Sequence, residues 1–218
     1  MKTKALIFDL DGTLIDSLLD MALCMNQVLK EFDLPTHELN AYNHFVGDGV
    51  LFLTQRAVPK NTTQEVIEKV VTRYKEVYDS VVCQNTKAYA GIYELLDKLQ
   101  TNHLKMAVLS NKPHEFTLKY VETIFGAFNF CEVHGQKENV PKKPHPQGAI
   151  TIAKNFNLNP DEIFYIGDTP TDIYTAKNAN MKSIGVLWGF RTKEELQEAG
   201  ADFLVSHPTQ IWNIICEH

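Results

Sequence analysis

Short apolar runs rich in Val, Ile, Leu and Phe recur along the chain, at Ala5–Leu10, Leu104–Leu109, Phe130–His134, Ile163–Ile166, Ser183–Leu187 and Asp202–Val205. Runs of this length with little polar alternation predict strands buried on both faces. Between most of them the apolar positions take a helical period, as over Ile92–Leu99, Phe116–Phe125, Gly148–Phe156 and Asp172–Asn178. Alternating strand and helix predicts a parallel sheet covered by helices on both sides. Turn chemistry agrees. Pro160-Asp161 precedes one run, and Asn180 follows the helix ending near Ala179, where Asn tolerates a left-handed cap.

One region breaks the alternation. From about Ser17 to Val82 the pattern is helical and holds no convincing strand. Met21, Met25, Val28 and Leu29 mark one amphipathic face, and Val66, Ile67, Val70, Val71, Tyr74, Val77 and Tyr78 mark another. A helical block inserted after the first strand predicts a lid. Its borders fall near Asp16 and near Thr86–Gly91, which divides the chain into a discontinuous core, 1–15 with 86–218, and a helical cap, 16–85.

With 218 residues, 44% of them hydrophobic, the chain can bury a core. The formal charge of −6 and the scattered lysines exclude a nucleic-acid surface, which needs clustered cations. No apolar run approaches the roughly 20 residues of a membrane span, and the residues before the first strand lack a signal peptide's long apolar region and small-residue cleavage site, so none is expected. The expected location is the cytoplasm. Cys24, Cys83, Cys131 and Cys216 form no C-x-x-C pair and read as free thiols.

The chemistry gathers at strand ends. The first run closes on Asp9 and Asp11, followed by Gly12 and Thr13; the second closes on Ser110-Asn111-Lys112; the fourth closes on Gly167-Asp168-Thr169-Pro170-Thr171-Asp172. In open parallel sheets ligands bind outside the carboxyl ends of the strands. Clustered carboxylates repel, and a hard cation such as Mg²⁺ relieves them while letting an anionic Asp meet an anionic phosphate. Lys143, in Lys142-Lys143-Pro144-His145-Pro146, adds a cation. Each element alone has a plainer explanation: Asp-Gly as a turn, Ser110-Asn111 as a helix cap, Lys143 as a surface charge, Asp168 and Asp172 as acids at a helix start. Their joint occurrence argues for phosphoryl transfer.

In order and spacing, Asp9-Leu10-Asp11-Gly12-Thr13-Leu14, Ser110-Asn111-Lys112, Lys143-Pro144-His145-Pro146 and Gly167–Asp172 resemble the four motifs of the haloacid dehalogenase superfamily. The resemblance implies an α/β fold, a Rossmann-like doubly wound parallel sheet core with an inserted all-α helical cap domain. It implies that Asp9 attacks phosphorus and becomes an aspartyl phosphate, and that Asp11 is the general acid and base. Ser110 and Lys143 would hold the phosphoryl group, with Thr13, Asn111 and Gly47 as further substrate contacts. Asp9, Asp11 (through its main-chain carbonyl) and Asp168 would bind Mg²⁺, supported by Asp172.

His44–Ala57, with Gly47 and Gly49, and Trp188-Gly189-Phe190-Arg191 resemble the phosphoglycolate phosphatase branch. That implies a phosphatase acting on a small phosphorylated metabolite, as a monomer or homodimer. Arg56 could pair a substrate carboxylate or lie on the surface, and His44 could touch ligand. Asp48 departs from the branch, because it would repel a carboxylate unless turned away; Asn180 departs where Gly is usual. The alternatives are a sugar phosphomutase of the β-phosphoglucomutase kind, a pyrophosphatase, and a non-catalytic phosphate-binding protein.

Overall fold

The computed structural model describes residues 2–81 and 83–218. In chain order the strands are β1 (Ala5–Phe8), β2 (Ile15–Asp16), β3 (Lys87–Ala88), β4 (Lys105–Pro113), β5 (Phe130–Gln136), β6 (Ile163–Gly167), β7 (Lys182–Val186) and β8 (Phe203–Val205). The helices are α1 (Leu18–Glu31), α2 (Tyr42–Phe45), α3 (Val50–Ala57), α4 (Gln64–Ser80), α5 (Ile92–Thr101), α6 (His114–Phe125), α7 (Gln147–Phe156), α8 (Pro170–Asn178), α9 (Lys193–Ala199) and α10 (Pro208–Glu217). Each of the six apolar runs contains a strand and each of the four periodic segments a helix. The first strand stops at Phe8, earlier than its apolar run, and β4 continues past Leu109 through the polar residues Ser110, Asn111 and Lys112.

Among the described residues six strands form one parallel sheet in the order β5-β4-β1-β6-β7-β8. The chain builds outward from β1 to one edge, then returns to β1's other side and builds to the opposite edge. The reversal leaves a crevice at the carboxyl ends of β1 and β6, the position where doubly wound sheets bind ligands. Strand side chains alternate between the two faces. Leu6 and Phe8 join the cluster holding Leu96, Tyr120 and Ile211 from α5, α6 and α10, whereas Ala5 and Ile7 join Ala149, Ile152 and Ala176 from α7 and α8.

The chain leaves the sheet through β2 and returns through β3, and the two pair antiparallel, Ile15 with Ala88 and Asp16 with Lys87. Between them the described residues are helix, turn and loop; Val82, the end of the predicted helical region, lies outside the described residues. The apolar face of α1 is buried at Met21, Met25, Val28 and Leu29. That of α4 is buried at Ile67, Val70, Tyr74, Val77 and Tyr78, with Val66 and Val71 at its half-buried margin. Buried Asp20 on α1 ties this block to the returning chain. Its carboxylate accepts the Thr86 N–H at 2.9 Å, the Thr86 hydroxyl at 2.6 Å, the Asn85 N–H at 3.1 Å and the Asn85 amide at 2.7 Å.

Candidate active site

Asp9 follows directly on β1, and its N–H still bonds to the Ile166 carbonyl of β6 at 2.9 Å, which fixes it at the crevice. Gly12 then turns the chain at φ +83°; a Cβ there would stand 2.3 Å from Asp168 Oδ2, so only glycine fits. Asp168, fully buried after β6, accepts the Thr13 hydroxyl at 2.9 Å and the Phe190 N–H at 2.8 Å. Gly189 presses its backbone against the same acid, and the Trp188 indole donates to the Thr13 carbonyl at 3.0 Å. The 188–190 segment thus backs the acid cluster.

Asp172 sits in the first turn of α8. One of its oxygens accepts from the N–H and hydroxyl of Thr169, at 3.1 and 2.7 Å, closing a capping box. The other accepts from Lys143 Nζ at 2.7 Å, and the same ammonium lies 2.9 Å from Asp9 Oδ1. Asp172 is therefore both a helix-starting acid and a partner of Lys143. Lys143 is buried, not a surface charge. Asn111 positions it: its Oδ1 accepts the Lys143 N–H at 2.9 Å, and its amide donates to the Lys143 carbonyl and to the Gly47 carbonyl, both at 3.2 Å. Neither Ser110 nor Asn111 caps α6, whose cap position is Pro113.

One oxygen each from Asp9, Asp168 and Asp172 lie within 4.8 Å of one another. Burial, then the charge of Asp172, pushes the Asp9 carboxyl up to about 7 against the pull of Lys143. Burial, then Asp172 and Asp9, raises Asp168 well above the ordinary carboxyl range. Burial disfavours the Lys143 charge, but Asp172 and Asp9 outweigh it and hold the ammonium well above its ordinary value. Three buried acids against one buried ammonium leave negative charge uncompensated. This all-oxygen donor set fits a hard divalent cation.

Asp11 stands apart from the three. Its carboxylate accepts the Ser17 hydroxyl at 2.6 Å and Lys112 Nζ at 3.0 and 3.2 Å. Lys112, to which sequence reasoning gave no role, also donates to the Tyr78 hydroxyl at 2.7 Å and lies over the rings of Tyr78 and Tyr120, 4.6 and 4.5 Å from their centres. A signal was present. Lys112 stands two residues beyond Ser110, in the irregular end of β4 where Ser110, Asn111 and Lys112 all line the same cavity.

A small cavity of ≈ 50 Å³ lies between the sheet end and the helical block, lined by Asp9, Asp11, Ser110 and Lys112 below and by Leu53 and Tyr74 above. Gly47 and Gly49, at φ +110° and +90°, also line it. Asn111 lines it too, whereas Thr13, Arg56 and His44 do not. Thr13 is buried behind Asp168 and does not line the cavity. Arg56 lies off the cavity, paired with Asp48 Oδ2 at 2.5 Å, and Asp48 Oδ1 accepts the Thr171 hydroxyl at 3.2 Å, so the Asp48 charge is drawn away from the cavity. His44 is exposed. Arg191, unassigned by the sequence reading, reaches the Asn43 and Val46 carbonyls and grips the loop before Gly47.

Residues 6–186 match the family described as haloacid dehalogenase-like hydrolase. A phosphoglycolate phosphatase of Colwellia psychrerythraea is 31% identical over 204 residues, 90% of each chain. One of Aquifex aeolicus is 30% identical over 215 residues, covering 99% of this chain and 98% of its own. Among solved structures, a predicted phosphoglycolate phosphatase from Haemophilus somnus superposes with a TM-score of 0.92 at 27% identity, over 98% of both chains. Sheet order, acid cluster and relatives converge: the chain belongs to the haloacid dehalogenase-like hydrolases, and within them it is a phosphatase similar to the phosphoglycolate phosphatases.

Proposed function

We propose that this phosphatase hydrolyses a small phosphate monoester in two steps through an aspartyl phosphate on Asp9, depends on Mg²⁺, and has 2-phosphoglycolate as its leading substrate. The observation that carries the reading is the meeting of Asp9, Lys143, Asp168 and Asp172 at one buried strand end that opens on a cavity. Asp9, Asp168 and the Asp11 main-chain carbonyl would hold the Mg²⁺, with Asp172 beside them; when bound, it would supply the positive charge that three carboxylates and a phosphate require.

Asp9 attacks phosphorus, and the bond to the ester oxygen breaks as the Asp9–phosphorus bond forms. Asp11 gives that leaving oxygen its proton. It then takes a proton from water, whose oxygen displaces Asp9 and releases phosphate. Ser110 and Lys143 bind phosphoryl oxygens, and Asn111 holds Lys143 in place. The narrow cavity favours a small guest, and the helical block, residues 16–85, acts as a cap over it. Opening hinges at the β2–β3 pair, and the loop gripped by Arg191 closes the far side. The relatives' names support the substrate. Among the described residues no helix is long and apolar enough to cross a membrane, and the four cysteines are unpaired; both are compatible with a cytoplasmic enzyme.

The test is phosphate release from a panel of phosphoglycolate, sugar phosphates, nucleotides and pyrophosphate. Phosphoglycolate should give the highest kcat/KM, EDTA should silence the enzyme, and Mg²⁺ should restore it. Asp9→Asn should lower kcat by on the order of 10³-fold or more with the fold intact. Conversion of glucose 1-phosphate to glucose 6-phosphate without free phosphate would make it a mutase instead, and preferred cleavage of pyrophosphate a pyrophosphatase.

A further inference from the structure

The cavity lining mixes polar and apolar side chains. Asp9, Ser110 and the neighbouring Lys143 serve a phosphoryl group. The same lining includes the apolar side chains of Met21, Val50, Leu53 and Phe116. An anionic group placed among these side chains without a partner would lose its hydration for nothing. Lys112 is the one Lys or Arg among the described residues that line the cavity. The other cations nearby are engaged elsewhere: Arg56 with Asp48 and the Phe45 carbonyl, Arg191 with the Asn43 and Val46 carbonyls, and Lys142 with the Asp48 carbonyl.

Lys112 is also held with unusual firmness for a lysine. Its ammonium is buried, bonded to Asp11 and Tyr78, and set over two tyrosine rings. These contacts fix a flexible chain in advance of binding, which lowers the entropic cost of using it. An ammonium has three N–H donors; the two Asp11 oxygens, at 3.0 and 3.2 Å, and the Tyr78 hydroxyl, at 2.7 Å, accept them here, so a substrate carboxylate would take over the donor held by the second Asp11 oxygen. The placement beside Asp11 matters most. Asp11 is the group that meets the ester oxygen, so Lys112 stands next to whatever the substrate carries one carbon further on.

We propose that Lys112 is the specificity residue of this site: its ammonium binds a carboxylate attached to the carbon next to the ester oxygen, and so selects 2-phosphoglycolate-type substrates over uncharged monoesters. The proposal rests on the two-step phosphatase reading and adds the residue that reads the leaving group. Arg56, the other candidate for that carboxylate, does not line the cavity and is paired with Asp48.

The test compares 2-phosphoglycolate with 2-hydroxyethyl phosphate, which has the same skeleton with an alcohol in place of the carboxylate. Both are measured with wild type, Lys112→Met, Lys112→Gln and Lys112→Arg, after thermal melts establish which variants fold. Wild type should prefer phosphoglycolate. The kcat/KM ratio of the two substrates should fall by about ten- to a hundredfold in the neutral variants, the scale of one charged hydrogen bond, and largely survive in Lys112→Arg. Free glycolate should inhibit wild type competitively and lose that effect in the neutral variants. A preference unchanged in the neutral variants overturns the proposal, because equal losses on both substrates mean that Lys112 only braces Asp11. Absence of glycolate inhibition in wild type overturns it even if no neutral variant folds. If wild type itself lacks the preference, the phosphoglycolate assignment fails with it, whereas release of phosphate from both substrates leaves the phosphatase chemistry standing.

Discussion

Asp9, Asp168 and Asp172 share the buried end of the sheet with a single ammonium, and the imbalance has a measurable sign. An ordinary Asp titrates at 3.8, but burial moves Asp9 to about 7 in the folded protein without metal. Between those values the folded state binds more protons than the unfolded one, so its stability falls as pH rises through the window. Lys143, held above its ordinary range, stays charged throughout and does not reverse the trend. A divalent cation would offset the uncompensated buried charge most where the acids are ionised. The increase in Tm on replacing EDTA by Mg²⁺ should therefore grow from about pH 5 to about pH 8; an increase that is flat across this range would contradict the assignment of the cluster as the metal site.

The short elements decide how the helical block is fastened. The β2–β3 pair is only two residues long on each side, too little to hold four helices unaided. The Asp20 carboxylate supplements it by accepting two main-chain N–H groups and two side chains where the chain returns. Asp20→Ala leaves the buried Thr86 donors unpaired and should cost about 2–3 kcal/mol, read as a lower urea midpoint; Asp20→Asn, which keeps an acceptor, should cost less. An unchanged midpoint in the alanine variant would show that the clasp carries no weight. Elements were unevenly legible in the sequence. The central strands stood out because both faces are buried. The helix α9, of composition Lys-Glu-Glu-Leu-Gln-Glu-Ala, offers only a narrow apolar stripe and fell outside the predicted elements; a capping box of Thr192 and Glu195 starts it. The helix α10 also fell outside the predicted elements; its cap is His207 with Gln210, and His is not a residue the usual capping pattern picks out.

At the scale of the whole molecule, core and helical block share one hydrophobic cluster that runs from Leu6 and Phe8 through Met25 and Val70 to Ile211. The join is aromatic. Tyr78 of α4 stacks on Tyr120 of α6, ring centres 5.8 Å apart, and meets Phe116 edge-on at 5.3 Å. Tyr78 lies in the last turn of α4, so this contact joins the helical block to the core near the point where the chain returns through β3. Scanning calorimetry should give one unfolding transition with calorimetric and van't Hoff enthalpies in agreement. Two resolved transitions would mean that the block is independently stable.

The sequence by itself determined the layered architecture, the helical insertion after the first strand and the places of Asp9, Asp11 and Asp168 just past strand ends; Ser110 lies inside β4, which runs on to Pro113. These follow from local periodicity and from the rule that parallel strands present their carboxyl ends to ligand. Tertiary structure alone decided what each charge meets: Lys143 on Asp9 and Asp172, Lys112 on Asp11 and Tyr78, Arg56 on Asp48, Thr13 behind Asp168. Partners such as Lys112 and Asp11, 101 residues apart, come together only when the sheet sets distant strands side by side. No local pattern encodes that distance, because electrostatic pairing depends on proximity in space and on the water that burial has removed.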